Sequence, residues 1–155
     1  QSLKNPYTGI LSIFSTRIFN NNSINIFEDG MESRDFVYID DVVEGTILAL
    51  ESEAANYEVF NIGSGQKESV VAVVNELMYN YGVKPNYEIT GNYRIGDIRH
   101  NVADLRKAKS LLGFSPKTPF TLGIKAFAKW AQNEEIPDDN FDVSIDEMKK
   151  KGLLK

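Results

Sequence analysis

Short runs of β-branched and aromatic residues alternate along this chain with longer stretches whose apolar residues recur every three or four positions. That alternation restricts the fold to α/β or α+β. The clearest stretch is "ESVVAVVNELMYNYG". Val70, Val73, Val74, Leu77, Met78 and Tyr81 fall on one helical face, and Gly82 follows as a stop. Four runs have the composition of short strands: "INIF" from Ile24, "RDFVYI" from Arg34, "YEVFNIG" from Tyr57 and "NYEIT" from Asn86. Between the first two, "EDG" predicts a turn with Gly30 at positive φ.

Further helices are predicted from Tyr7 to Phe19, after Pro6, and from Asp40 or Asp41 to about Glu51. With Asp41 as cap, Glu44 takes the third helical position of an acidic capping box. "LRKAKSLLGF" reads as a short helix ending at Gly113. "TPFTLGIKAFAKWAQNEE" reads as a longer one, with Phe120, Ile124, Phe127 and Ala131 on one face. "SIDEMKKKGLL" is a weak charged helix with Leu153 and Leu154 as its main anchors. The sum is a small sheet with covering helices, or part of a larger sheet. Residues 1–133 form the body and 134–155 a tail.

With 155 residues the chain is the size of one domain. Its net charge of -5 argues against nucleic acid, whose binders present a basic face. It has no cysteine, which excludes disulfides, cysteine-zinc sites and thiol catalysis and is compatible with a reducing cytoplasm, where we expect the protein. No apolar run approaches the roughly 18 residues of a membrane span. The opening "QSLKNPYTG" has no start methionine and no signal-peptide pattern, and it reads as the interior of a longer protein.

Two arginines stand at loop–strand junctions, where sites are commonly built. Arg34 follows the Gly30 turn, and Arg94 lies in "YRIGDIRH". A guanidinium fork can grip a phosphate through two parallel bonds. Each can equally be an ion-pair residue, Arg34 with Glu32 or Asp35 and Arg94 with Asp97. Asp97 can accept from a ribose hydroxyl or simply form the turn. Asn61 can be a hydrogen-bonding residue at a strand end. Phe27, Tyr38 and Trp130 read as core, although Phe27, in a loop-bordering strand, can touch a base. Tyr7 and Thr8, at a helix start, can bring N–H groups to an anion or only cap. Asp40 and Asp41 read as helix-capping residues. His100, the one histidine, has no cysteine or acidic cluster beside it that would make a metal site. "NIGSGQ" has two glycines after a strand but not the third of a dinucleotide fingerprint.

Taken in order, "NPYTGILSIF", "NIFEDGMESRDFVYIDDVVEG", "YEVFNIGSG", "RIGDIRHNVADLRKAKSLLGFSP" and "AFAKW" resemble the C-terminal, substrate-binding part of NAD-dependent nucleotide-sugar epimerases and dehydratases, the extended short-chain dehydrogenase/reductase family. The resemblance covers about residues 1–133 and is nearest in wording to UDP-hexose and UDP-N-acetylhexosamine 4-epimerases. It implies that Arg34 and Arg94 bind the nucleotide diphosphate and that Asp97 meets the ribose. It further implies that the backbone at Asn25 and Phe27 lies along the uracil or thymine ring, and that Tyr7 and Thr8 border the diphosphate or sugar. Asn61 is a site-adjacent candidate. UDP is expected over TDP, NAD is the expected cofactor of the parent, and the parent is expected to be a homodimer.

The family's glycine-rich cofactor loop and its catalytic Tyr-x-x-x-Lys pair are not in this sequence. Position 42, four after Tyr38, is valine; Pro85 and Asp97 stand four after Tyr81 and Tyr93. The expectation is a fragment lacking the cofactor-binding half and unable to turn over alone. Glu28 stands where relatives often carry a small residue.

Overall fold

The fold is taken from a computed structural model and is described for Leu3 and residues 9–155. The chain divides into two compact units. Unit one comprises Gln1–Glu32, Ser69–Arg99 and Ile124–Lys155; unit two comprises Ser33–Glu68 and His100–Gly123.

Unit one is built on two short parallel strands, β1 (Ile24–Ile26) and β4 (Tyr87–Ile89), with Ile24 opposite Tyr87, Asn25 opposite Glu88 and Ile26 opposite Ile89. Parallel partners need a long crossover, and it includes α3 (Val70–Tyr81). Helix α3 forms as its apolar stripe predicts. Ser69 Oγ caps it by accepting from Ala72 N, and Gly82 closes it in the left-handed conformation. Val73, Val74, Leu77 and Met78 are buried, with Ile24 and Ile26 of β1. Helix α1 (Ile10–Phe19) packs on α3, where Tyr81 stacks edge-on against Phe19 and hydrogen-bonds Ser15 Oγ at 2.7 Å. The predicted start of this helix at Tyr7, with Pro6, lies outside the described residues.

The turn after β1 fits only a glycine. Gly30 has φ +74°, and a Cβ there would stand 2.4 Å from Val71 Cγ2. This close approach lets Val71 N donate to Gly30 O and Val70 N to Glu32 O, at 3.1 and 3.0 Å.

In unit two, α2 (Ile39–Glu51), a 3-10 turn (Glu53–Ala55) and α4 (Arg106–Leu112) surround Ala108, Leu112 and Phe114. Leu48, Ala49, Phe60, Ile62 and Leu105 complete this core. Gly45 lets α2 approach, because a Cβ there would meet Ile62 Cδ1 at 2.8 Å. Ile39, Val43, Ile47 and Leu50, spaced along one face of α2, are exposed.

Several expectations are corrected. "RDFVYI" is a strand only at its first residue, in β2 (Ser33–Arg34), and Ile39 already belongs to α2. "YEVFNIG" is not a strand. Tyr57 has φ +61°, which breaks extended backbone, and Val59 is 82% exposed. Beyond Arg34, whose strand pairs with Glu68–Ser69, neither run is in a strand among the described residues, and β-propensity without a neighbouring strand does not make a sheet. The remaining strand, β3, is the pair Glu68–Ser69.

The capping box also fails. Tyr38 is the N-cap of α2, and no side chain caps it. The buried carboxylate of Asp41 instead accepts from Lys117 N and Thr118 N at 2.9 and 3.0 Å, while Glu44 pairs with Lys117 Nζ. Two fixed backbone donors outcompete a local cap.

Helix α5 (Phe120–Ala131) begins in unit two and continues into unit one, where Ile124, Ala128 and Ala131 are buried. The tail is ordered onto unit one. Helix α6 (Phe141–Lys150) starts three residues before the predicted segment and buries Phe141. Leu154 is buried, and Leu153 stays half exposed.

Beside bonds from Asn20 to Pro137 O and from Asn22 to Asp139, the most buried tie between α1 and the tail is Arg17. Its side chain is 7% exposed, its Nη1 lies 3.2 Å from the equally buried Asp139 and 3.3 Å from Asp142, and its Nε donates to Ser23 O. The guanidinium also covers the Phe141 ring, 4.6 Å from its centroid. Removing one partner of a buried pair strands the other, at a cost of about 3 kcal/mol. Urea unfolding of Arg17→Ala should show that loss, whereas Asp142→Asn, at a 76% exposed side chain, should fall within about 0.5 kcal/mol of the parent.

Candidate functional site

The predicted site residues fall into two groups, each inside one unit. In unit one, the end of β1 faces the loop that follows β4. The ladder continues past β4, with Thr90 N and Thr90 Oγ1 both donating to Ile26 O and Glu28 N donating to Asn92 O at 2.7 Å. These bonds bring Arg94 back over β1, where its guanidinium stands 5.4 Å from the centre of the Phe27 ring. Gly96, at φ +84°, turns the chain. Asp97 Oδ1 accepts from Ile98 N at 2.9 Å, so this carboxylate also serves as a turn former. The structure thus brings Arg94 over Phe27, one residue past β1, with Asp97 in the same turn as Arg94, while Asn25 sits within β1 opposite Glu88.

Behind them stands an acidic cluster that the sequence reading passed over. Carboxylate oxygens of Glu28, Asp29 and Glu32 lie within 4.8 Å of one another. Arg99 grips two of them, Nη1 on Glu28 and Nη2 on Asp29. The Met31 N–H and then Arg99 hold the Asp29 carboxyl below its ordinary value. Glu32 is buried, its Oε2 has no hydrogen-bond partner among the described residues, and its pKa is raised, first by burial and also by Glu28 and Asp29. Glu28 sits at φ +47°, a region costly for a residue with a Cβ, and its ion pair with Arg99 and its bond to Asn92 O hold it there.

In unit two, Arg34 and Asn61 line a pocket of about 400 Å³ together with Asp35, Gly63, Asn101 and Ala103. Its organiser is Asp35. Ser64 N and Ser64 Oγ donate to Oδ1 at 2.7 and 2.6 Å, and Gly65 N and Ala103 N donate to Oδ2 at 2.9 and 3.2 Å. The approach needs Gly63, where a Cβ would stand 2.6 Å from the Asp35 carboxylate and from Ala103. Ser33 Oγ meets His100 Nδ1 at 2.9 Å, which gives the lone histidine a side-chain partner. Arg34 Nη1 donates to Ser33 O. Sequence reasoning treated Asp35 only as an ion-pair partner for Arg34, because its donors lie about thirty and seventy residues ahead. Tyr7 and Thr8 lie outside the described residues.

This hub also decides the fit of "NIGSG" to a dinucleotide. The Ser64 and Gly65 N–H groups that would cradle a phosphate already donate to Asp35. The described residues therefore do not fit NAD at this loop.

Residues 3–63 match the family model described as the NAD dependent epimerase/dehydratase family. The chain belongs to this family. It is 37% identical over 134 residues to a dTDP-L-rhamnose 4-epimerase of Burkholderia thailandensis, covering 86% of this chain and 37% of that protein. Among solved structures, a UDP-glucose 4-epimerase of Thermotoga maritima in complex with UDP-glucose is 35% identical, with a TM-score of 0.69 over 83% of this chain and 41% of that one. A UDP-glucuronic acid 4-epimerase of Bacillus cereus, in complex with UDP-glucuronic acid and NAD, is 28% identical with a TM-score of 0.74. It is matched over 83% of this chain and 40% of its own. The chain thus spans about two fifths of the length of these relatives and has the fold of the corresponding part of an extended short-chain dehydrogenase/reductase. No described helix is long and apolar enough to cross a membrane.

The family member's Asp35 has a lowered pKa: burial raises it, and the bonds from Ser64, Gly65 and Ala103 more than offset that. A carboxylate depressed on folding contributes stability above its unfolded pKa and loses it as pH falls through the folded one. Asp35→Asn, which weakens four converging bonds, should cost about 2 kcal/mol at pH 7. The difference should shrink as the pH is lowered below about 4. Chemical denaturation of both chains across that range checks it.

Proposed function

We propose that this chain is the substrate-binding part of an NAD-dependent nucleotide-sugar 4-epimerase and that its task is to hold the nucleoside diphosphate. The observation that carries the reading is Arg94 suspended over Phe27 at the end of β1, a cation beside an aromatic face and a strand edge. In this reading the strand edge at Asn25 and Phe27 lies along the base, Asp97 accepts from the ribose, and Arg94 binds diphosphate oxygens. Arg34, on the wall of the unit-two pocket beside Asn61, is the second diphosphate ligand. Tyr7 and Thr8 are proposed to border the diphosphate or sugar. A guanidinium–phosphate bond is a charge-assisted one and contributes roughly 1.5–3 kcal/mol.

The relatives support this class because their names pair 4-epimerase activity with UDP- and dTDP-sugars. The chain's residues bind and orient. The tyrosine–lysine pair and the glycine-rich loop of the resemblance are not in its sequence, so NAD and the proton-transfer groups belong to the whole enzyme, which we take to be cytoplasmic and homodimeric. The dTDP-sugar relative, at 37% identity, favours thymine as the rival base.

The test is a titration of UDP and dTDP into the chain, read by amide NMR shifts. Shifts should concentrate at residues 24–28, 33–36 and 93–99. Arg94→Ala and Arg34→Ala should each weaken binding about tenfold or more. With NAD and UDP-glucose added, the chain alone should show no epimerisation by product analysis. Unchanged UDP affinity in both arginine variants would overturn the assignment.

A further inference from the structure

The loop that carries Arg94 is paired on its far side by the end of the chain. Tyr93 N donates to Lys155 O at 2.7 Å, Lys155 N donates to Tyr93 O at 3.0 Å, and Ile95 N donates to Leu153 O at 2.9 Å. Arg94 is thereby bridged to Leu154 in antiparallel register. Leu154 is 7% exposed, between the half-exposed Leu153 and the exposed Lys155. Helix α6 delivers this segment through Gly152, at φ +68°, with Leu153 N closing the helix end on Met148 O. Arg17, Asp139 and Asp142 in turn fix α6 to α1.

We infer that Leu153–Lys155 is a positioning strand of the nucleotide site, holding the backbone on both sides of Arg94 so that its guanidinium is preset over Phe27. The inference rests on the reading of Arg94 as a diphosphate ligand. Its physical basis is entropic. An exposed arginine in a glycine-marked loop samples many positions, and binding must then order both loop and side chain. Three backbone bonds on one side, and the Glu28–Asn92 and Thr90–Ile26 bonds on the other, order the loop before the ligand arrives. Backbone pairing is also less sensitive to salt than a surface ion pair, so the arrangement persists where electrostatic ties weaken.

The experiment uses the chain ending at Gly152, the variant Leu154→Asp, and Arg94→Ala in the intact chain, with UDP as probe. Amide exchange at Tyr93 and Ile95 reports the strand, thermal unfolding reports the body, and UDP titration reports the site. Both tail variants should lose protection at Tyr93 and Ile95, keep protection in α3, and bind UDP about tenfold more weakly. By linkage, saturating UDP should raise protection of the Lys155 amide in the intact chain. If the tail variants lose protection at Tyr93 and Ile95 yet bind UDP as the parent does, the strand is structural only and the inference is overturned. It is equally overturned if those amides stay protected without the tail. Should Arg94→Ala itself leave UDP affinity unchanged, the reading of Arg94 falls first, and the inference with it.

Discussion

The parallel pairing of Ile24–Ile26 with Tyr87–Ile89 is the constraint on which the unit-one site depends. It is only three residues long, too short to be stable in water by itself. It persists because Ile24 and Ile26 are fully buried, as is most of the stripe of α3, and the close approach of Gly30 to Val71 ties the turn after β1 to the start of that helix. The same register that packs these side chains sets where the chain leaves each strand. Phe27 and the loop toward Arg94 therefore emerge side by side, and the position of the arginine follows from the burial of two isoleucines.

Much of this was legible in the sequence. Helix α3 announced its stripe and its glycine stop, and both are local properties. Gly30 and Gly113 were readable for the same reason, since positive φ is a one-residue demand. What could not be read was long-range. "YEVFNIG" has strand composition, but a strand is defined by its neighbour, and Tyr57 breaks the run. Asp41 had every local credential of a cap, yet it serves backbone groups of Lys117 and Thr118 more than seventy residues ahead.

The site residues divide along the same line. Arg34 and Arg94 were conspicuous because arginine beside a glycine turn is a local pattern. Their supports were not. Asp35 gathers donors from Ser64, Gly65 and Ala103, and Arg99 reaches back to Glu28 and Asp29. Each depends on which loops the fold brings together. The charged tail gave the least signal, because its role rests on main-chain bonds that any sequence could make.

The apolar face of α2 has a consequence for how the chain behaves in bulk solution. Ile39, Val43, Ile47 and Leu50 present a hydrocarbon ridge about three helical turns long. Sulfate and other strongly excluded salts raise the free energy of such a surface, whereas mild denaturant lowers it. The chain's solubility should therefore fall steeply in ammonium sulfate, and the dispersed molecule should prefer cold, dilute, low-salt solutions, where water is least averse to hydrocarbon.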